Sequence, residues 1–190
     1  MNHTKFKHAI QQLVHLSPAC WKALGSNLYT KTIQKEQFFS KEQSATKEIA
    51  FMQSGLMRIY YLDPQGNEWN KKFLMADDFV MASVNPSEQS KVFIQAIKET
   101  ELVAISYADF LALAEKYPKL LELAHRLTAQ YVSAKEAREI SLLSMSAKER
   151  YQRFLEDYAS IKDELPQYHI ASYLGVTPTQ LSRIRKGINI

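Results

Sequence analysis

Apolar and polar residues change their spacing twice along the chain. Over residues 27–105 the apolar and aromatic positions come in short runs. They are Leu56-Met57-Arg58-Ile59-Tyr60-Tyr61-Leu62 and residues 69–74, 92–97 and 102–105. Their aromatic and β-branched content predicts strands. Asp63-Pro64-Gln65-Gly66-Asn67 predicts the turn that joins the first two into a hairpin. Short strands at this spacing predict an antiparallel barrel or sandwich.

From Tyr107 the period becomes helical. Residues 108–115 predict a short helix stopped near Pro118, and residues 119–143 a long one with no internal Pro or Gly. Leu120, Ala124, Leu127, Tyr131 and Ala134 fall at alternating spacings of four and three, one stripe down that helix. Such a stripe packs either on its own domain or on a second copy. About 25 residues span nearly 40 Å, more than a small barrel covers, so the stripe is read as a dimer seam. Ser146-Ala147-Lys148-Glu149 has the form of a capping box. The helix it opens carries Tyr151, Phe154, Leu155 and Tyr158 on its apolar side.

Residues 167–186 carry the most specific pattern. Ile170, Ala171 and Leu174 make the inner face of a short helix. Gly175 follows, able to take the positive φ that a tight helix-to-helix turn needs. Thr177 is a good N-cap, and Pro178 sits at the first helical position. Leu181 and Ile184 then form the inner face of a second helix, and small Ala171 allows a close crossing. At about 100° per residue, Thr179, Ser182, Arg183 and Lys186 fall on the opposite side, with Gln180 on the flank. No Asp or Glu occurs from residue 165 to the end. A helix that enters a major groove needs this chemistry: cations for phosphates, and Arg or Gln for base edges. The candidate DNA contacts are Thr177, Thr179, Gln180, Ser182, Arg183, Arg185 and Lys186. Arg183 is the expected base reader, because its fork can pair with guanine O6 and N7. Arg185 and Lys186 are expected on phosphates.

Composition narrows the choices. The 190 residues are 46% hydrophobic and 23% charged, with net charge +4. That describes a soluble globular chain with a mild bias toward polyanionic partners. No apolar run approaches the roughly 18–20 residues that span a bilayer. The first twelve residues lack the apolar stretch of a signal peptide, so a cytoplasmic location is expected. A single cysteine, Cys20, excludes an intrachain disulfide and a thiolate-held zinc or iron–sulfur cluster; it is read as a buried apolar residue. None of the five histidines lies among the expected strands, which argues against a metal-dependent barrel enzyme. No Ser–His–Asp arrangement or Gly-rich phosphate loop is readable. A non-enzyme without cofactor or metal is expected.

With these residues in hand, the chain resembles the Crp/Fnr family of bacterial transcription regulators. Ser54-Gly55 with residues 56–61 resembles the β-roll stretch that follows a Ser-Gly turn in that family. Asp77-Asp78-Phe79 resembles the lead-in to its ligand cassette, and residues 176–184 resemble its recognition helix. The resemblance implies an α+β chain. Residues 1–117 would form a cyclic-nucleotide-binding-like antiparallel β-roll, of double-stranded β-helix type. Residues 118–144 would form the dimerisation helix, and 145–190 the helix-turn-helix domain. It also implies an effector pocket around Met81, Gln89 and Ser90, where this chain departs from the family. Val80-Met81 stands in place of the Gly-Glu pair that holds a ribose, and Gln89-Ser90 in place of the Arg-Ser or Arg-Thr pair that holds the cyclic phosphate. A buried phosphate without a guanidinium is poorly compensated, so cyclic AMP in the usual mode is not expected. Thr179 replaces a glutamate common in the family's recognition helix, so the target sequence does not carry over. The short run after residue 186 is expected to give a reduced wing. The implied function is a homodimeric, sequence-specific double-stranded-DNA-binding regulator, with a β-roll that senses an unknown effector or none. The alternative is an effector-binding or interaction module of the same fold with degenerate DNA binding.

Overall fold

The computed structural model describes residues 4–45, 47–83, 85 and 87–187; the residues expected to form the reduced wing fall mostly beyond these. Seven helices and six strands are found among them. The chain opens with α1 (Thr4–Gln11) and α2 (Pro18–Asn27). The strands follow as β1 (Tyr29–Ile33), β2 (Phe38–Ser40), β3 (Glu48–Leu62), β4 (Glu68–Met75), β5 (Phe79–Met81) and β6 (Phe93–Ser106). The C-terminal part is helical: α3 (Tyr107–Lys116), α4 (Lys119–Ser144), α5 (Ala147–Asp157), α6 (Gln167–Leu174) and α7 (Pro178–Lys186). The class is α+β.

The sheet runs in the order β1-β6-β3-β4, with β2 also on β6 and β5 also on β3. The pairings β1–β6, β2–β6 and β3–β5 are antiparallel. The two runs expected at 92–97 and 102–105 are one strand, β6, whose ends pair with different partners. Alternation along the long strands sorts the core into two clusters. Ala50 and Met52 of β3, and Ala96, Leu102 and Ala104 of β6, join Leu74 and Val80 in one. Phe51 and Ile105 face the other way, into a cluster with α1, α2, α3 and the start of α4.

Ser54-Gly55 does not end a strand. It lies inside β3, where Gly55 has φ +100° and the buried parity shifts from Ala50 and Met52 to Met57 and Ile59. The kink lets one continuous strand serve both halves of the roll.

The sequence reading missed α1 and α2. Only Phe6 and Ile10 of α1 are buried, one turn apart. Ser17 caps α2 by accepting from the Cys20 N–H, with Pro18 at its first position. Cys20 is buried, as read, and burial pushes its thiol pKa up.

The chain divides into two compact units, Met1–Ile59 with Phe73–Gln130, and Tyr60–Lys72 with Tyr131–Ile190. The tip of the β3–β4 hairpin thus belongs with the C-terminal helices. Its turn is closed by Asp63. That carboxylate accepts from the Trp69 indole N–H, the Asn67 side chain and the Asn67 and Gln65 backbone N–H groups. These bonds, Trp69 first, hold the Asp63 pKa at about 2.

Candidate nucleic-acid interface

Local capping chemistry sets the three C-terminal helices. Ser146 and Glu149 form the expected capping box on α5. At the end of α6, Gly175 takes φ 69°, and the Val176 N–H reaches the Ala171 carbonyl at 3.0 Å, as in a Schellman motif. Thr177 and Gln180 form a second capping box on α7, with Pro178 at its start.

Packing then decides which side of α7 faces out. Leu181 is buried and Ile184 half-buried, while Thr177, Thr179, Gln180, Ser182, Arg183, Arg185 and Lys186 are all exposed. Tyr151, Phe154, Tyr158 and Tyr173 form an aromatic cluster in the same unit, with ring centroids 5.3–6.2 Å apart. Arg183, Arg185 and Lys186 make no ion pair among the described residues. A cation free of internal carboxylates stays available to a phosphate or a base edge.

Two of the seven candidates already have internal work. The Gln180 Oε1 accepts from the Thr177 N–H at 2.9 Å and hydroxyl at 3.1 Å, and the Thr177 hydroxyl accepts from the Gln180 N–H at 3.2 Å. Thr177 is therefore a structural cap first, whereas Gln180 keeps its amide N–H2 for an outside acceptor.

Sequence reasoning missed the groups that fasten α6. Arg150 donates to the carbonyls of Leu174 and Met145. Arg138 donates to the Tyr173 carbonyl and lies 3.8 Å from its ring centroid; burial lowers the Arg138 pKa. Helix-end carbonyls that lack intrahelical partners are thereby satisfied. On the other side, the hairpin tip clasps α6. The Asn70 N–H donates to the Ser172 hydroxyl at 2.9 Å, and that hydroxyl donates to the Glu68 carbonyl at 2.6 Å. The Asn70 amide donates to the His169 carbonyl at 3.2 Å. These are contacts of high sequence separation, which no local pattern signals.

The long-helix stripe is engaged by its own chain over much of its length. Leu120 is fully buried in the core with α1, α2 and α3, and Ala124 and Leu127 pack against that cluster. Tyr131 accepts a hydrogen bond from Lys71 at 2.6 Å. Leu120 is thus unavailable to a partner chain, because its side chain is already inside this one; Ala134 is exposed. Tyr131 of the stripe is exposed, as are Leu121, Val132, Ile140, Leu142 and Leu143 off it. Leu121, Val132 and Leu143 recur every eleven residues, close to three helical turns, and so share one side.

The three candidate effector residues are not brought together around a polar pocket. Ser90 is buried, and its hydroxyl donates to the Val92 carbonyl at 2.7 Å. Gln89 is exposed beside Ala45. Met81 lies on β5 opposite Ile49. No described helix is long and apolar enough to cross a membrane.

A cyclic nucleotide-binding domain model matches residues 30–117. The fumarate and nitrate reduction regulatory protein of Vibrio cholerae is 26% identical over 165 residues, covering 81% of this chain and 66% of that protein, just under two thirds. The regulatory protein HlyX of Actinobacillus pleuropneumoniae is 24% identical over the same length, covering 81% of this chain and 69% of its own. Among solved structures, FixK2 of Bradyrhizobium japonicum superposes with TM-score 0.75 at 19% identity, covering 85% of this chain and 84% of that one. A Crp/Fnr-family transcriptional regulator from Eubacterium rectale gives 0.75 at 22% identity, covering 91% and 83%. Domain match, sequence relatives and fold point the same way: residues 30–117 match a cyclic nucleotide-binding domain, and the chain is similar to transcription regulators of the Crp/Fnr kind in sequence and fold.

Proposed function

We propose that this protein is a sequence-specific regulator that binds double-stranded DNA as a homodimer, through α7. One observation carries the reading. The buried Leu181 anchors a helix whose other side is acid-free, exposed and cationic. Two such helices, one per chain, suit successive major grooves about 34 Å apart on a near-palindromic site. Residues 1–117 act as the sensor, 118–144 as the pairing helix and 145–190 as the DNA-binding head. The family relatives are named as regulators, which favours this reading over an interaction module with degenerate DNA binding.

Selection from a random duplex pool should return a two-fold site, with affinity falling steeply as salt rises. Arg183→Ala should then cost about 1–3 kcal/mol on the selected site and relax preference at one base position. Equal binding by parent and variant, measured by fluorescence anisotropy, removes Arg183 as a base reader. A chain that enriches no sequence at all favours the interaction-module reading instead.

Pairing is placed on the exposed side of α4, through Leu121, Val132 and Leu143, rather than on the stripe that begins at Leu120. The support is that Leu120 is consumed by its own core, whereas Leu143 remains 82% exposed. Sedimentation should show a dimer for the parent and a monomer for the V132E/L143E double variant. DNA affinity should drop by about 10²-fold or more, because the second head loses its high effective concentration. A double variant that stays dimeric places the seam elsewhere.

Cyclic AMP in the usual mode is not part of the proposal. The Ser90 hydroxyl is spent on the Val92 turn, Gln89 is no guanidinium, and Met81 offers no acceptor for a ribose.

A further inference from the structure

Outside the roll, between its outer face and the layer of helices α1 to α4, lies a cavity of about 130 Å³. The sheet contributes Ile49, Phe79, Met81, Val103 and Ile105. Ile49 and Met81 are direct cross-strand partners, so they share that outer face. The helices contribute Phe6 and Ile10 from α1, Leu24 from α2 and Phe110 from α3. From α4 come Leu123, Ala124, Leu127 and Thr128. Among the described residues, only Tyr107 and Thr128 bring side-chain polar groups to the wall, and no Asp, Glu, Lys, Arg or His lines it.

We propose that this cavity is a ligand site for a small, uncharged, apolar molecule, a benzene-sized ring or a short branched alkyl group. Three observations point to that chemical class. The volume is comparable to apolar cavities of about 150 Å³ that stay dry and take benzene. A charged or phosphorylated guest would lose its hydration against a wall with no counter-ion. The third is position. Met81, where the family resemblance puts a ribose-binding glutamate, lines this cavity, while Gln89 and Ser90 do not. The chemistry that a nucleotide needs is therefore absent here, and an apolar surface stands in its place.

An empty space of this size is costly to a folded protein, because its lining forfeits packing contacts on one side. A guest restores them. It would also rest on Ala124, Leu127 and Thr128 of α4, the helix on which pairing is proposed.

The test uses the full chain with benzene and indole as probes, and cyclic AMP as the polar comparison. Benzene should raise the thermal midpoint in a concentration-dependent way, by about 5 °C at a hundredfold excess over its dissociation constant. Ala124→Leu puts three more carbons into the space. It should abolish the benzene shift while leaving the ligand-free midpoint unchanged or higher. A second variant, Leu127→Met, keeps the volume and should keep the shift, which separates filling from misfolding. No shift with either apolar probe overturns the proposal. So does a shift by cyclic AMP that Ala124→Leu removes, since the site would then take a polar nucleotide. DNA affinity of the same samples, measured without probe, reports separately on the DNA-binding reading: a chain that binds benzene but no DNA keeps this inference and loses that one.

Discussion

Gly55→Ala is expected to destabilise the fold by about 3 kcal/mol or more, which for a chain of this size lowers the thermal midpoint by roughly 6–12 °C. The reason is in the neighbours of the missing side chain. A methyl group built on Gly55 would sit 2.4 Å from the Thr100 Oγ1 and 2.5 Å from both the Glu99 carbonyl oxygen and the Thr100 Cα. Two of these three atoms are backbone of β6, and Thr100 is fully buried, so relief requires moving a core strand. The φ of +100° adds strain for any residue with a Cβ. The contrast is Gly25 in α2, where nothing lies within 4 Å of the added methyl. Gly25→Ala should therefore be neutral or stabilising by up to about 1 kcal/mol, as for glycine in a helix interior. Calorimetry on the two variants checks both signs. A Gly55→Ala chain that melts with the parent means that β3 does not pass so close to β6.

The parts of this molecule that sequence made readable are those set by neighbours a few residues away. Ser146 with Glu149, Thr177 with Pro178, and Gly175 each fix a helix end through local hydrogen bonds or φ. Helix α7 was legible because it is bracketed by such signals and because its two faces differ in chemistry. Where partners are distant, the pattern under-determines the outcome. The stripe from Leu120 was correctly apolar, but a helical period says which side is buried and not what buries it. Here the burying surface at Leu120 is the chain's own core. In α1 only two buried anchors, Phe6 and Ile10, sit among polar residues, too few for an amphipathic period to stand out. The joining of two apolar runs into β6 depends on Thr100, a polar residue that looks like a break. It is tolerated inside because its hydroxyl donates to the Lys98 carbonyl at 2.9 Å. Arg138, Arg150 and Asn70 act on α6 across 24 to 102 residues of sequence, beyond the reach of any periodicity.

Leu181→Ala is expected to remove DNA binding by a different route from Arg183→Ala, although the two residues are neighbours on one helix. Leu181 is 1% exposed and is the buried anchor of α7. Truncating it should cost about 2–5 kcal/mol, from lost transfer free energy and the cavity left behind. In a unit of this size that is a large share of the total stability, so α7 loses its seat and the binding face loses its shape. Arg183 is exposed and makes no ion pair among the described residues, and its replacement should leave the stability within about 0.5 kcal/mol of the parent. Paired measurements of urea denaturation and DNA affinity thus separate the faces of α7: the inner variant shifts both, the outer variant shifts affinity alone. If Leu181→Ala kept the parent's stability while losing DNA, Leu181 would be a contact residue and the orientation assigned to α7 would be inverted. If Arg183→Ala lost stability, its guanidinium would be part of the fold rather than a free reader of bases, and the argument that rests on an unengaged cationic surface would fail with it.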